Sequence, residues 1–291
     1  IACAKVAAKI LKKETFEYLK TLAEIKPSKR IPFLYMNLIN GGKHVHQQGS
    51  EQAKNNLAFQ EYLLIPNTEN VAEAIEIGVK IQNSLKEIII RELGAESIVL
   101  GDEGGFAPKI SDIRKPFLYL SEAIKQNNLQ GKVRLALDAA ANSFYCNGLY
   151  KIADPEYGRG IDGKDFSKKE LLDIYISLVK EFNLFSIEDP FYEEDFESFN
   201  KLKEKKQNLF VVGDDLTVTN KILLQKAIEK GSINAIIIKP NQIGTLSETL
   251  ETMKLARENN IEIIVSHRSG ETDDDFIADL AYAFGCFGLK A

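Results

Sequence analysis

The chain has 291 residues, 44% of them hydrophobic and 27% charged, with a net charge of −5 spread over interspersed acids and bases; this is an ordinary globular balance. With no long basic run there is no electrostatic footprint for nucleic acid or an anionic membrane surface, and no apolar stretch approaches the roughly 20 residues that a membrane-spanning helix needs. Cys3, Cys146 and Cys286 are scattered without CxxC spacing, which argues against a disulfide framework or a thiolate zinc site and fits a reducing, cytoplasmic setting.

Residues 4–24 read as a helix. Apolar runs at 33–39 and 62–65 read as strands with no long helix between them, and the polar stretch 43–56 is the most loop-like in the chain. Residues 70–93 read as a further helix. From about residue 130 one unit recurs, a short apolar run followed by a longer amphipathic stretch. The runs are 133–137, 184–187, 209–213, 235–238, 261–265 and 286–289. Ser167 with Glu170, and Thr245 with Glu248, have the spacing of capping boxes at helix starts. Gly231 stands where a helix C-terminal cap is expected.

Such alternation predicts βα units and a parallel sheet. The strand total of about eight, within a length near the roughly 250 residues typical of such barrels, predicts a (β/α)8-type barrel. Its first units are irregular, ββαα, before the βα repeats begin. An open doubly wound sheet is the competing fold, but no GxGxxG follows a first strand.

The residues at the ends of the runs decide between the two. Asp138, Glu188 and Asp214 (with Asp215 next to it) follow three of them; Lys239, then His267 and Arg268, then Lys290 follow the others. Any one carboxylate here could simply cap a helix and favour its dipole. Lys239, His267, Arg268 and Lys290 have the wrong charge for that role. Strands lie about 4.8 Å apart, so six in an open sheet would spread these groups over roughly 24 Å. In a closed barrel they converge on one mouth, the face where such barrels hold their active sites. Three oxygen ligands without Cys or clustered His suit a hard cation such as Mg2+. Asp138, Glu188 and Asp214 are the predicted ligands, with Asp215 an alternative to Asp214. A lysine beside a divalent cation suggests abstraction of a proton next to a carboxylate, where the metal answers the developing charge. Lys239 is the predicted base, with Lys290 and Arg268 binding an anionic substrate.

Six stretches carry a family resemblance. NGGKH at 40–44, LGDEGGFAP at 100–108, SIEDPF at 186–191, VGDDLTVTN at 212–220, IIIKPNQIGTLSET at 236–249 and VSHRSGETDDDFIADLA at 265–281 resemble the motifs of the enolases, in that family's order. A Lys or His base beside one or two magnesium ions is a known pattern of the enolase superfamily. The resemblance implies a Mg2+-dependent lyase that interconverts 2-phosphoglycerate and phosphoenolpyruvate in glycolysis and gluconeogenesis. It implies Mg2+ bound by Asp138, Glu188 and Asp214, with Lys239 removing the proton from carbon 2. Glu103 is then the acid that helps hydroxide leave carbon 3, supported by Glu61 with Gln60 beside it. His44 and His267 approach the substrate, Arg268 and Ser269 hold its phosphate, and Lys290 neutralises its carboxylate. A small phosphorylated substrate is the expected partner, without nucleic acid or membrane, and the full-length family forms homo-oligomers.

Three departures bear on these expectations. The family has an amino-terminal domain that closes a loop over the substrate, and no counterpart precedes Ile1. The expected unit is therefore one incomplete barrel domain over residues 1–291, also lacking a final helix and leaving Lys290 on a frayed end. The segment HVHQQGSEQAKNN after Lys43 is longer than the short Gly-rich loop of the family, which puts His44 in question and raises His46 as a neighbour. The alternatives are a non-catalytic fragment, or a superfamily lyase acting on another acid.

Overall fold

The computed structural model describes the chain except residues 27, 43–56, 102 and 155–158, and it describes residues 153–154 and 159–164 by backbone alone. His44 and His46 fall outside the described residues.

Two short helices, α1 (Ala2–Ile10) and α2 (Thr15–Leu19), lead into strands β1 (Phe33–Asn40) and β2 (Glu61–Pro66). Helices α3 (Val71–Leu93) and α4 (Lys115–Gln126) separate β2 from β3 (Val133–Asp138). A small sheet follows, β4 (Tyr145–Cys146), β5 (Leu149–Asp154) and β6 (Arg159–Phe166). Regular βα units then run through α5 (Lys168–Phe182), β7 (Ser186–Glu188), α6 (Phe196–Lys205), β8 (Phe210–Gly213), α7 (Lys221–Glu229) and β9 (Ala235–Ile238). They continue with α8 (Pro240–Ile243), α9 (Leu246–Glu258), β10 (Glu262–Ser266), α10 (Phe276–Ala283) and β11 (Gly288–Lys290).

The strands close into a barrel in the order β1-β11-β10-β9-β8-β7-β3-β2. Strand β2 is antiparallel to both β1 and β3, and the other neighbours pair in parallel. The expected barrel with irregular first units is thus the observed fold.

Strand alternation sorts the side chains. Tyr35, Leu63, Ile65, Ala136, Val212, Ala235, Ile237 and Ile264 fill the barrel interior. Their neighbours Leu64, Leu137, Val211, Ile236, Ile238 and Val265 face outward and join the larger core under the helices. At the lower end of the barrel Arg134 stacks over Phe185, 4.3 Å from the ring centre, and over Phe33.

Two expectations are corrected. Residues 4–24 are not one helix. Lys12 takes φ 53°, which ends α1, and the Glu17 carboxylate accepts the Glu14 N–H at 3.1 Å to start α2. The stretch after Asp138 is not a simple strand-to-helix link, because the β4–β6 sheet is inserted there. Asn147 and Gly148, at φ 50° and 85°, join β4 to β5 in the left-handed conformation that two-residue hairpin turns require.

Candidate active site

Inward alternation carries straight into the mouth of the barrel. Ala136 is followed two residues later by Asp138, Ser186 by Glu188, Val212 by Asp214, Ile237 by Lys239, Ile264 by Ser266 and Gly288 by Lys290. On β2, which runs the opposite way, the inward residue at this level is the first, Glu61. Cross-strand register locks the row, with Glu61 opposite Asp138, Asp138 opposite Glu188, and Ser266 opposite Lys290. The same alternation places Asp214 rather than Asp215 on the interior line.

A cleft of about 250 Å³ opens over these groups, lined among others by Gln60, Glu61, Glu103, Asp138, Asp214, Lys239, His267, Arg268, Ser269 and Lys290. A larger groove of about 700 Å³ adjoins it along residues 270–278 and shares Glu103, His267 and Arg268. The small cleft is the candidate site, since the buried charges converge there.

Lys290 is 4% exposed. Its Nζ donates to Asp138 Oδ2 at 2.9 Å and to Glu188 Oε2 at 3.0 Å, and pairs with Glu61 Oε2 at 3.0 Å. The expectation of a frayed or solvated Lys290 is corrected: β11 pairs with both β1 and β10, which fixes the backbone on either side. Lys239 Nζ forms an ion pair with Asp214, and its backbone N–H donates to Thr219 Oγ1 at 2.8 Å. On the other side of the mouth Glu103 is held by both oxygens. His267 Nε2 lies 3.0 Å from Oε1, and Asn37 Nδ2 donates to Oε2 at 3.0 Å. Arg268 and Ser269 are exposed on the rim, where the Arg268 backbone N–H donates to the Glu271 carboxylate at 2.9 Å.

The electrostatics follow from burial. Burial pushes the carboxyls of Glu61 and Glu188 well above their usual range; Lys290 opposes the shift in each while Asp138 adds to it. Asp189 is raised in the same way, by burial and then by Asp215 and Asp214. Asp215 is pushed up to about 6 by burial and Asp214, against a lowering hydrogen bond from Asn142. For Lys239 and Lys290 burial lowers the ammonium, but the surrounding carboxylates outweigh it, and both end above the usual lysine value.

Glu61, Glu103, Asp138, Glu188, Asp189, Asp214 and Asp215 outnumber the buried Lys290 and half-buried Lys239 at this mouth. Asp214 Oδ1 is also buried without a hydrogen-bond partner. An excess of oxygen donors with one left unsatisfied is what a hard divalent cation needs, so the residues fit one. Among the described residues the closest trio of carboxylates is Asp189, Asp214 and Asp215, not the predicted Asp138, Glu188 and Asp214. Asp189, however, already accepts the backbone N–H groups of Asp214 and Asp215. Asp138 and Glu188 are gathered by Lys290 instead.

Reading strand ends did not single out Asn37, Asn142, Thr219 or Asp189. Asn37 was within reach, being two residues beyond Tyr35 on the inward line of β1. Asp189 sits beside Glu188 in SIEDPF. Asn142 and Thr219 carry no local signal.

The sequence profile of the family described as "Enolase, C-terminal TIM barrel domain" matches residues 28–291. The chain is 40% identical to the enolase of Methanocaldococcus jannaschii over 291 residues, all of this chain and 64% of that protein. It is 41% identical over 296 residues to the enolase of Methanopyrus kandleri, again all of this chain and 64% of the relative. With the enolase of Sulfurisphaera tokodaii it shares 42% over 283 residues, 97% of this chain and 63% of the relative. The chain thus spans less than two thirds of the length of the curated relatives it matches. The family implies a divalent metal at this mouth. Eight strands closed in this order, acids and lysines on their inward ends, and a profile match over nearly the whole length place the chain in the enolase family, as its C-terminal barrel domain.

Proposed function

We propose that this barrel carries the chemistry of an enolase, the reversible loss of water from 2-phosphoglycerate to give phosphoenolpyruvate. The observation that carries the reading is the division of one mouth into a lysine paired to Asp214 on one side and a carboxyl, Glu103, clamped by His267 and Asn37 on the other. A proton taken at carbon 2 and a hydroxyl lost from carbon 3 need a base and an acid held apart in this way. With the Asp214 charge answered by a cation instead, Lys239 Nζ would release its own proton to solvent and, as the neutral amine, accept the carbon 2 proton. Glu103 delivers a proton to the departing hydroxyl, which leaves as water. His267 and Asn37 fix the two Glu103 oxygens, and Glu61 supports them with Gln60 beside it. Lys290 places a buried positive charge where the substrate carboxylate would lie, and Arg268 with Ser269 offers planar donors and a hydroxyl to the phosphate. His44, outside the described residues, is the remaining substrate group implied by the family resemblance.

Asp138, Glu188 and Asp214 would hold Mg2+, with Asp215 off the interior line. Bound there, the ion would stabilise the doubly charged carboxylate that forms when the proton leaves. The acid lyases that act on other substrates are less well served, since the Arg268–Ser269 rim suits a phosphate.

The test is Lys239→Ala assayed for turnover and, by calorimetry, for Mg2+ binding. Turnover should fall by about 10²- to 10⁴-fold, while Mg2+ affinity is kept or raised because Asp214 loses its competing ammonium. Full turnover in this variant would remove Lys239 as the base. An unsubstituted chain that binds Mg2+ without turning over would identify a metal-binding barrel that lacks catalysis by itself.

A further inference from the structure

Resting on the Mg2+ reading above, we propose that Asp189 is a positioning residue that fixes which of the two consecutive aspartates, Asp214 or Asp215, faces the metal. Asp189 is 3% exposed and lies at the end of β7, one residue past Glu188. Its Oδ1 accepts the Asp214 N–H at 2.9 Å and its Oδ2 accepts the Asp215 N–H at 2.6 Å. One carboxylate thus spans two successive amides of the neighbouring strand end. Its own backbone is tied on both sides, with its N–H donating to Val212 O at 3.0 Å and its carbonyl accepting the Ala141 N–H at 3.1 Å. The residue takes φ 42°, a left-handed conformation that costs energy in a non-glycine residue and persists only where the surroundings enforce it.

Successive residues at a strand end are free to turn once the ladder stops, and β8 stops at Gly213. The Asp214 carbonyl already accepts the Thr217 and Val218 N–H groups at 3.0 and 2.7 Å, so the clamp's part is to fix the Asp214 and Asp215 amides about that anchored carbonyl and so set which carboxylate faces the mouth. With both amides pinned, Asp214 continues the inward line to Lys239. Asp215 turns to Asn142, which donates to it at 3.0 Å and to Glu193 at 2.6 Å. A carboxylate whose two oxygens are engaged in this way serves better as an orienting partner than as a ligand. Such outer partners typically hold metal affinity by orienting the ligands.

Asp189→Asn separates orientation from charge when it is compared with Asp215→Asn. Both variants remove one carboxyl group from the same cluster. Only Asp189→Asn places an amide NH2 against one of the two backbone N–H groups. Mg2+ titration by calorimetry and amide hydrogen exchange at residues 214 and 215 are measured on the unsubstituted chain and both variants, with circular dichroism to check the fold. In Asp189→Asn, Mg2+ binding should weaken by about 10- to 100-fold and exchange at the two amides should quicken. Asp215→Asn should keep slow exchange and lose distinctly less affinity. Equal losses in the two variants would show a charge effect alone and overturn the clamp. If the unsubstituted chain takes up no Mg2+, the magnesium reading fails, and the clamp is judged on exchange: unchanged protection in Asp189→Asn overturns it, and faster exchange in that variant alone supports it.

Discussion

A buried ammonium is tolerated only while its carboxylates stay close, and Lys290 is held by Glu61, Asp138 and Glu188 at once. Lys290→Ala would leave three buried acids facing one another. Breaking a buried ion pair from one side costs about 3–5 kcal/mol, so the metal-free variant should lose roughly that much stability to urea. Part of the loss should return on adding Mg2+, which replaces the missing positive charge; equal losses with and without Mg2+ would argue that the acids do not share a cation site. Cys286 gives a simpler test. It is fully buried, and burial pushes its thiol from the ordinary 9.0 up to about 12. Because the folded state favours the neutral thiol, its contribution to stability is fully present below pH 9 and is lost as pH rises toward 12. At pH 8 a thiol reagent should modify the exposed Cys3 and Cys146 quickly, and Cys286 only on unfolding. Rapid modification of all three in the native chain would contradict this packing.

At the scale of single elements, α5 shows local chemistry and packing agreeing. Ser167 accepts the Glu170 N–H at 3.3 Å and donates to its carboxylate at 2.9 Å, while Glu170 accepts the Ser167 N–H at 2.9 Å. The buried face of Leu171, Leu172, Ile174, Tyr175 and Leu178 then sits against the core. Ser167→Ala should cost about 1 kcal/mol, read as a lower urea midpoint with an unchanged slope. The Ser167–Glu170 capping box, the Thr245 side-chain cap and the Gly231 cap were legible because they depend on neighbours three or four residues away; Thr245 Oγ1 accepts the Glu248 N–H at 3.2 Å without the reciprocal bond that closes a box, and Gly231 takes φ 62°. The β4–β5 hairpin was equally local in its Asn147–Gly148 turn. It escaped notice because its strands are too short to show alternation. The break between α1 and α2 is harder to read, since residues 4–24 keep a helical apolar pattern across it.

For the whole molecule, a cation that binds only the folded barrel must stabilise it. At free Mg2+ 100-fold above its dissociation constant the gain is about 2.7 kcal/mol. The melting temperature should therefore rise with MgCl2, fall back with a chelator, and stay nearly still with NaCl of equal ionic strength. An equal response to both salts would count against a specific site. None of the described helices is long and apolar enough to cross a membrane, as the composition led one to expect.

The sequence by itself determined that about eight strands, alternating with helices after irregular first units, would carry acids and lysines at their tips, because strand and helix periodicities and caps are written in near neighbours. It also carried the motifs that mark the family. Only the tertiary structure decided which acids share Lys290, that Lys239 pairs with Asp214, and that Asp189 serves the backbone of Asp214 and Asp215. Those outcomes depend on barrel closure and strand register, which bring together residues about 25 positions apart at Lys239 and Asp189 and more than a hundred apart at Lys290, and on how deeply each charge is buried once they meet.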